Sequence, residues 1–215
     1  MNADRESIGD DTPGRTALPL FPLRSVLFPG GLLMLKVFEA RYLDLMSRCL
    51  RSGDGFGVIA LRQGSDVRNA ETEAVDLEPV GVLARIIDVD SPQSGILDLR
   101  CQGTRRFATE SVAQQADGLW TADVEFIADD EPAPPGEQLA ACVAALVDAI
   151  DTLTAQGAKP FLEPMNFADA GWVANRWCEI LPITLAAKQK LMALEDPLIR
   201  LGLVDDFLRN KGVIG

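Results

Sequence analysis

The chain has 215 residues, 47% of them hydrophobic, which is enough for one large folded domain or for a domain with a helical appendage. It carries 20 basic and 32 acidic side chains, a net charge of −12, and no histidine. This charge disfavours nucleic-acid binding, which usually rests on a basic surface. The lack of histidine excludes Ser-His-Asp and Cys-His nucleophilic sites and histidine-ligated metal sites, and we expect neither a metal nor a cofactor.

The sequence gives no sign of a membrane or secretory protein. No window approaches 18 continuous apolar residues, so no transmembrane helix is predicted. Residues 1–15 are polar, lack the apolar core of a signal peptide and are predicted to form a disordered tail. The four cysteines lie far apart and form no C-x-x-C pair, a pattern typical of reduced thiols in the core of a cytoplasmic protein. We therefore predict a cytoplasmic protein that does not contact membranes.

The stretch from Ala17 to Tyr42, ALPLFPLRSVLFPGGLLMLKVFEARY, opens the folded part of the chain. Its first apolar segment contains Pro19 and Pro22. Because proline donates no backbone hydrogen bond, this segment is predicted to be a strand at a sheet edge or a bulge. Glycines at 30 and 31 predict a turn, and a second short strand is predicted from Met34 to Phe38.

A helix is predicted to follow at once from Glu39, with Leu43, Met46 and Leu50 recurring at helical spacing. Further short strands are predicted up to Ile127, with a hairpin at 91–95. Gly103 is predicted to mark a bulge or a close backbone approach. The polar segment 62–73 is predicted to be a surface loop. Short strands around one early helix are typical of a small, bent β-barrel.

An acidic, proline-rich segment, residues 129–136, is the clearest boundary in the chain. The sequence beyond it is helical in pattern. Apolar residues from Leu139 to Leu153 recur at helical spacing, and Thr184 and Asp196 are predicted helix caps. The inner stripe of the last helix is predicted to be Leu198, Leu201, Val204 and Leu208. These patterns predict a small helical bundle, which we expect to dock on the barrel.

Several motifs in this order resemble the N-terminal substrate-recognition domain of the ATP-dependent protease Lon. They are Leu18-Pro-Leu-Phe-Pro-Leu, Leu27-Phe-Pro-Gly, Phe38-Glu-x-Arg-Tyr, Phe56-Gly-Val-Ile, Val80-Gly and Gly103-x-x-Arg-Phe. The resemblance implies an α+β fold, with a PUA-like pseudo β-barrel over residues 16–130 and a helical bundle over residues 131–215. It does not extend to the ATPase and protease modules of Lon.

Three charged residues on these motif positions have two interpretations. Glu39 can favour a helix N-terminus, and Arg41 or Arg106 can pair with it at the barrel edge. Alternatively, the three can anchor a ligand. The binding residues predicted from the motifs are Phe21, Phe28, Phe38, Glu39, Arg41 and Arg106.

The resemblance implies a non-catalytic module that recognises unfolded or extended polypeptide segments in protein quality control or regulation. The sequence has no P-loop and no evident protease dyad, which agrees with a non-enzyme. Two alternatives stay open: an RNA-binding accessory of the PUA-like class, and a small-ligand protein with a pocket between barrel and bundle. A homodimer is compatible with all three.

Overall fold

The computed structural model describes residues 16–62 and 76–215. The predicted tail, 1–15, and nearly all of the predicted loop, 62–73, lie outside the described residues. The strands are β1 (Thr16–Leu23), β2 (Leu32–Val37), β3 (Phe56–Ala60), β4 (Val80–Gln93), β5 (Ile96–Gln114) and β6 (Trp120–Phe126). The helices are α1 (Ala40–Ser52), α2 (Ala140–Ala155), α3 (Ala170–Ile180), α4 (Leu185–Ala193) and α5 (Pro197–Asn210). The predicted α+β fold is confirmed.

The strands form one sheet in the order β2-β5-β4-β3-β1-β6, and β6 pairs back onto β5. The length of β5 makes this closure possible. Its first part, 97–102, pairs with β2, and its second part, 107–114, pairs with β6. Five strands therefore close a barrel, and β2 is an additional strand attached to β5.

The prediction that the first strand lies at a sheet edge or a bulge is wrong, because β1 lies between β3 and β6 and pairs with both without a register shift. Alternate residues of a strand direct their backbone groups to opposite sides. The Leu23 carbonyl accepts from Leu61 N, so the odd-numbered residues of β1 face β3. Pro22 therefore faces β6 beyond Leu20, where that pairing ends, and Pro19 faces β3 one residue before that pairing begins. Neither proline removes a sheet hydrogen bond.

Helix α1 follows β2 directly and closes one side of the structure. Gly53 ends it in the left-handed conformation, with φ of 78°. The buried residues of α1 are Tyr42, Leu45, Met46 and Cys49, so the predicted stripe was rotated around the helix. Leu50, which was predicted to face inward, is exposed.

The C-terminal helices begin where the sequence predicts. The carboxylate of Asp169 accepts from the backbone N–H groups of Gly171 and Trp172 at the start of α3. Thr184 and Asp196 cap α4 and α5 in the same way. On α5, Leu201, Val204 and Leu208 are buried as predicted, whereas Leu198 is exposed.

Barrel and helices share one main hydrophobic core, which contains residues of α1, β1–β5 and α2–α5. A second cluster inside the barrel surrounds Phe107. A Cβ atom at Gly81 would overlap the Phe107 ring, so glycine makes room for this ring. Because the main core spans the predicted linker, the helices are docked on the barrel. The domain limits at 130 and 131 stay a prediction.

The helix Glu137–Ala155, which includes a short 3-10 turn before α2, is the one candidate for a membrane span among the described residues. Length and composition alone select it, and core helices of soluble proteins meet the same criteria. Leu139, Cys142, Leu146 and Ile150 pack from this helix into the main core. Only 22% of its most apolar window is buried, so most of the helix faces outward, and length and composition by themselves do not show a membrane span. The four cysteines of the chain are all free and buried.

Candidate functional site

In the described part of the chain, one edge of strand β2 is unpaired. It pairs with β5, and no other strand of residues 16–62 and 76–215 pairs with it. Gly103 N donates to the Gly31 carbonyl, so the backbone groups of Leu32, Met34 and Lys36 point away from β5 by alternation. These groups form an open row of donors and acceptors.

Side chains along a strand also alternate, and the even-numbered positions of β2 place apolar side chains on its outer face. Met34 is 63% exposed and Phe38, at the end of the strand, is 65% exposed. Lys36 lies between them and pairs with Asp98 at 3.1 Å. On the inner face, Leu35 and Val37 are buried. We call the unpaired side of Leu32–Val37, with Met34, Lys36 and Phe38, the β2 edge.

An ion pair stands where β2 leads into α1. Arg41 Nη2 lies 2.6 Å from Glu39 Oε2. Arg41 Nη1 also donates to the Gly118 carbonyl at 3.2 Å, and its guanidinium lies 4.9 Å from the Tyr42 ring centroid. Arg41 therefore ties the start of α1 to the turn between β5 and β6.

The structure separates the six predicted binding residues into two groups. Phe21 and Phe28 are in the main core, where the Phe21 and Tyr42 ring centroids are 4.2 Å apart. Arg106 is 2% exposed. These three cannot contact a client in this conformation, whereas Phe38, Glu39 and Arg41 are on the surface beside the β2 edge.

Met34 was missed by the sequence analysis. The signal was present, because Lys36 marks the solvent face of the strand and Met34 lies two residues before it. Because residues two apart on a strand share a face, the position of Met34 indicates exposure together with Lys36.

Arg106 does not pair with Glu39. Its Nη2 atom lies 2.5 Å from Asp130 Oδ1, and Arg200 Nη1 lies 2.7 Å from Asp130 Oδ2. Arg106 also donates to the Leu194 carbonyl at 2.9 Å, and Arg200 to Asn175 Oδ1 at 3.0 Å. We call these five residues the Asp130 network. It joins β5, the linker and the helices.

Comparisons with known proteins agree with this architecture. The family model described as the ATP-dependent protease La (LON) substrate-binding domain matches residues 17–210. The chain belongs to the Lon substrate-binding domain family. A solved Lon N-terminal domain protein from Xanthomonas campestris is 31% identical and superposes with a TM-score of 0.70, over 88% of this chain and 96% of that one. The N-terminal domain of Mycobacterium avium complex Lon protease, 16% identical with a TM-score of 0.58, shows the same fold over 89% of this chain and 97% of that one.

Curated Lon proteases show the same relation at the level of sequence. Lon protease 4 of Sorangium cellulosum is 35% identical over 55% of this chain and 15% of its own length. Lon protease 2 of Myxococcus xanthus is 27% identical over 90% of this chain and 24% of its own length. The chain therefore spans about a quarter or less of these relatives, and its match lies in the non-catalytic substrate-binding domain.

In this Lon-type domain, a cavity of about 340 Å³ lies between barrel and helices. Its charged side chains already have partners. Arg106 and Asp130 belong to the Asp130 network, Asp169 caps α3, and Arg105 lies 4.0 Å from Asp129. Among the described residues, no cluster of side chains has the composition of a metal site. The cavity thus favours a structural junction over a small-ligand site.

A second buried pair holds the turn before β2. Arg176 Nη1 donates to the Gly30 carbonyl at 2.6 Å, and Nη2 donates to the Pro29 carbonyl at 2.9 Å and to Glu179 Oε1 at 2.6 Å. A Cβ atom at Gly31 would overlap Glu179 Oε1. Helix α3 therefore positions the turn from which the β2 edge begins.

Burial raises the pKa of the Glu179 carboxyl to about 7, although the charges of Arg176 and Lys188 act to lower it. The folded state therefore holds this proton more tightly than the unfolded chain, whose glutamate titrates near its ordinary value. The stability that this group contributes is complete below about pH 4.5 and is lost as the pH rises through about 7.

We expect the free energy of unfolding of the wild type to fall by about 1–3 kcal/mol relative to Glu179→Gln between about pH 5 and pH 8. Glutamine keeps the size of the side chain and does not titrate, so any offset from the lost charge is the same at every pH. Denaturant unfolding of both proteins across this range measures the difference. A constant difference between the two stability curves would contradict the prediction.

Proposed function

We propose that this domain binds unfolded or extended polypeptide segments at the β2 edge, without catalysis, in protein quality control or regulation. One observation carries the proposal: an unpaired strand edge has two strongly exposed apolar side chains along it. Native proteins usually protect such edges, because they invite pairing with another chain. An exposed edge in a substrate-binding domain is suited to that pairing.

Strand addition explains why the client should be unfolded. A peptide that joins the edge must place alternate backbone groups opposite Leu32, Met34 and Lys36, which a folded chain cannot do. Met34 and Phe38 would then supply apolar contact area for every second client side chain. The affinity rests on backbone groups and apolar contacts, so it depends little on client sequence.

Charge adds a preference among clients. The net charge of −12 favours approach of segments rich in lysine and arginine, and salt should weaken this attraction. The only cation on the edge strand, Lys36, is paired with Asp98 and offers little repulsion. We therefore propose basic, extended clients with affinities on the order of micromolar. A cytoplasmic location, with reduced thiols, is part of the same proposal.

A double substitution tests the site. In the full chain, Met34→Ser with Phe38→Ser should weaken binding of a labelled, permanently unfolded protein by about tenfold, since it removes most of the exposed apolar area. The matched control is Ile199→Ser with Leu203→Ser on α5, where the two side chains are 56% and 50% exposed. Fluorescence anisotropy at two salt concentrations gives both affinities.

Backbone pairing needs its own probe. A peptide with alternating leucine and lysine should bind, and the same peptide N-methylated at every residue should not, because it lacks the backbone donors of both edges. Equal binding of the two peptides would contradict strand addition. Equal affinity for native and unfolded forms of one protein, or an equal loss in the α5 control, would overturn the proposed site.

A further inference from the structure

A second surface of the domain has the opposite charge from the rest of the chain. A pocket of about 770 Å³ lies between the C-terminal end of α1, the start of β1 and strand β4. Its apolar lining includes Leu18, Pro19, Leu83 and Phe126. It shares no residue with the β2 edge or with the Asp130 network.

Three arginines line this pocket: Arg48 and Arg51 from the last turns of α1, and Arg85 from β4. All three are exposed. Asp54 is the only acidic residue of the lining. The pocket therefore has an excess of positive charge in a chain whose net charge is −12.

Among the described residues, these three arginines and Arg24 have no carboxylate partner. Within the described parts of the chain, the arginines that form an ion pair within 4.0 Å are Arg41, Arg62, Arg100, Arg105, Arg106, Arg176, Arg200 and Arg209. Apart from Arg24, the remaining described arginines are the three at the pocket. Acids outnumber bases in this protein, so a group of unpaired guanidinium groups around one cavity is unexpected from composition alone.

We propose that this pocket binds a short acidic polypeptide segment that carries an apolar side chain. The apolar side chain enters between Leu18, Leu83 and Phe126, and the flanking carboxylates accept from the guanidinium groups. Arginine suits this role because its planar donors can bind a carboxylate through two hydrogen bonds. The three like charges repel one another when the pocket is empty, and an anion relieves that repulsion.

The surroundings favour a short segment over a long polyanion. Nucleic acid or polyphosphate would extend beyond the three arginines, and the net charge of −12 of the chain would repel the part that does so. Base stacking is also poorly served, because the Phe126 ring is already covered by the Arg105 guanidinium at 4.9 Å from its centroid. A segment with two or three carboxylates matches the local charge.

The test uses the full chain and a labelled unstructured peptide with a leucine between glutamates. Each exposed guanidinium should contribute about threefold to the affinity, so Arg48→Gln, Arg51→Gln and Arg85→Gln together should weaken binding by about 30-fold. Arg24→Gln, also exposed and unpaired, is the matched control and should change nothing. The peptide with glutamines in place of glutamates should bind neither protein.

The thermal midpoint of each variant is measured first. If the triple variant is unfolded, Arg51→Gln alone, with an expected loss of about threefold and a weaker salt dependence, takes its place. Equal peptide affinity for wild type and variant would overturn the proposal. So would tighter binding of a single-stranded oligonucleotide or of decanoate than of the peptide. Because the pocket shares no residue with the β2 edge, Met34→Ser with Phe38→Ser should leave this binding unchanged.

Discussion

Asp130→Ala should lower the free energy of unfolding by about 3–5 kcal/mol. The carboxylate accepts from two guanidinium groups, those of Arg106 and Arg200, whose side chains are 2% and 1% exposed. Without it, two buried positive charges lie close together with no anion between them. Breaking a buried charge pair in this way is far more costly than losing a surface pair.

The neighbouring residue is a control for the linker. Asp129 is 76% exposed and 4.0 Å from Arg105, so Asp129→Ala should change the stability by less than about 0.5 kcal/mol. Arg106→Ala should lower the free energy of unfolding by about 2–4 kcal/mol. It removes one of the two guanidinium groups that pair with Asp130 and the donor to the Leu194 carbonyl. Denaturant unfolding compares the three variants. A loss below about 0.5 kcal/mol for Asp130→Ala would show that the network is not a stabilising junction.

Arg176→Ala should also lower the free energy of unfolding by about 3–5 kcal/mol. Its fully buried guanidinium donates to the carbonyl groups of Pro29 and Gly30 and to Glu179. It also lies 5.7 Å from the Trp172 ring centroid. Removing it leaves several buried acceptors without a donor and opens a cavity beside the ring.

Lysine at the same position distinguishes geometry from charge. A single ammonium group cannot reproduce the fork that reaches two carbonyl groups and a carboxylate, so Arg176→Lys should recover less than half of the loss. Arg100→Ala, which removes an exposed arginine 3.9 Å from Asp88, should be near neutral. Full recovery by lysine would mean that only the charge matters at this turn.

The contacts of Arg176 with Pro29 and Gly30 also bear on client binding. Helix α3 holds the turn that precedes β2, so loosening it should disturb the position of the β2 edge before the barrel unfolds. A client-binding defect in Arg176→Ala that exceeds its unfolded fraction would be expected from this arrangement.

Local chemistry in the sequence determined most of the elements. Thr184 and Asp196 predicted two helix starts, because a side-chain oxygen at an N-cap satisfies backbone donors within three residues. Gly103 was predicted to mark a bulge or a close backbone approach. The structure shows a close approach, because a Cβ atom there would overlap the Phe28 carbonyl. The ordered motifs from Leu18 to Phe107 gave the family and therefore the fold.

The strand neighbours and the partners of buried charges were decided only by the tertiary structure. Two prolines gave β1 the pattern of an edge strand, yet β1 is paired on both sides. Pro19 lies just before the pairing with β3 begins, and Pro22 lies beyond the end of the pairing with β6, so neither has to donate. Arg106 carried no local sign that its partner is Asp130, 24 residues away, rather than Glu39. Nor did spacing show that Arg85 faces the same pocket as Arg48 and Arg51. Caps and turns act over a few residues and can be recognised in sequence, whereas sheet order and ion pairs depend on segments that meet only after the barrel closes.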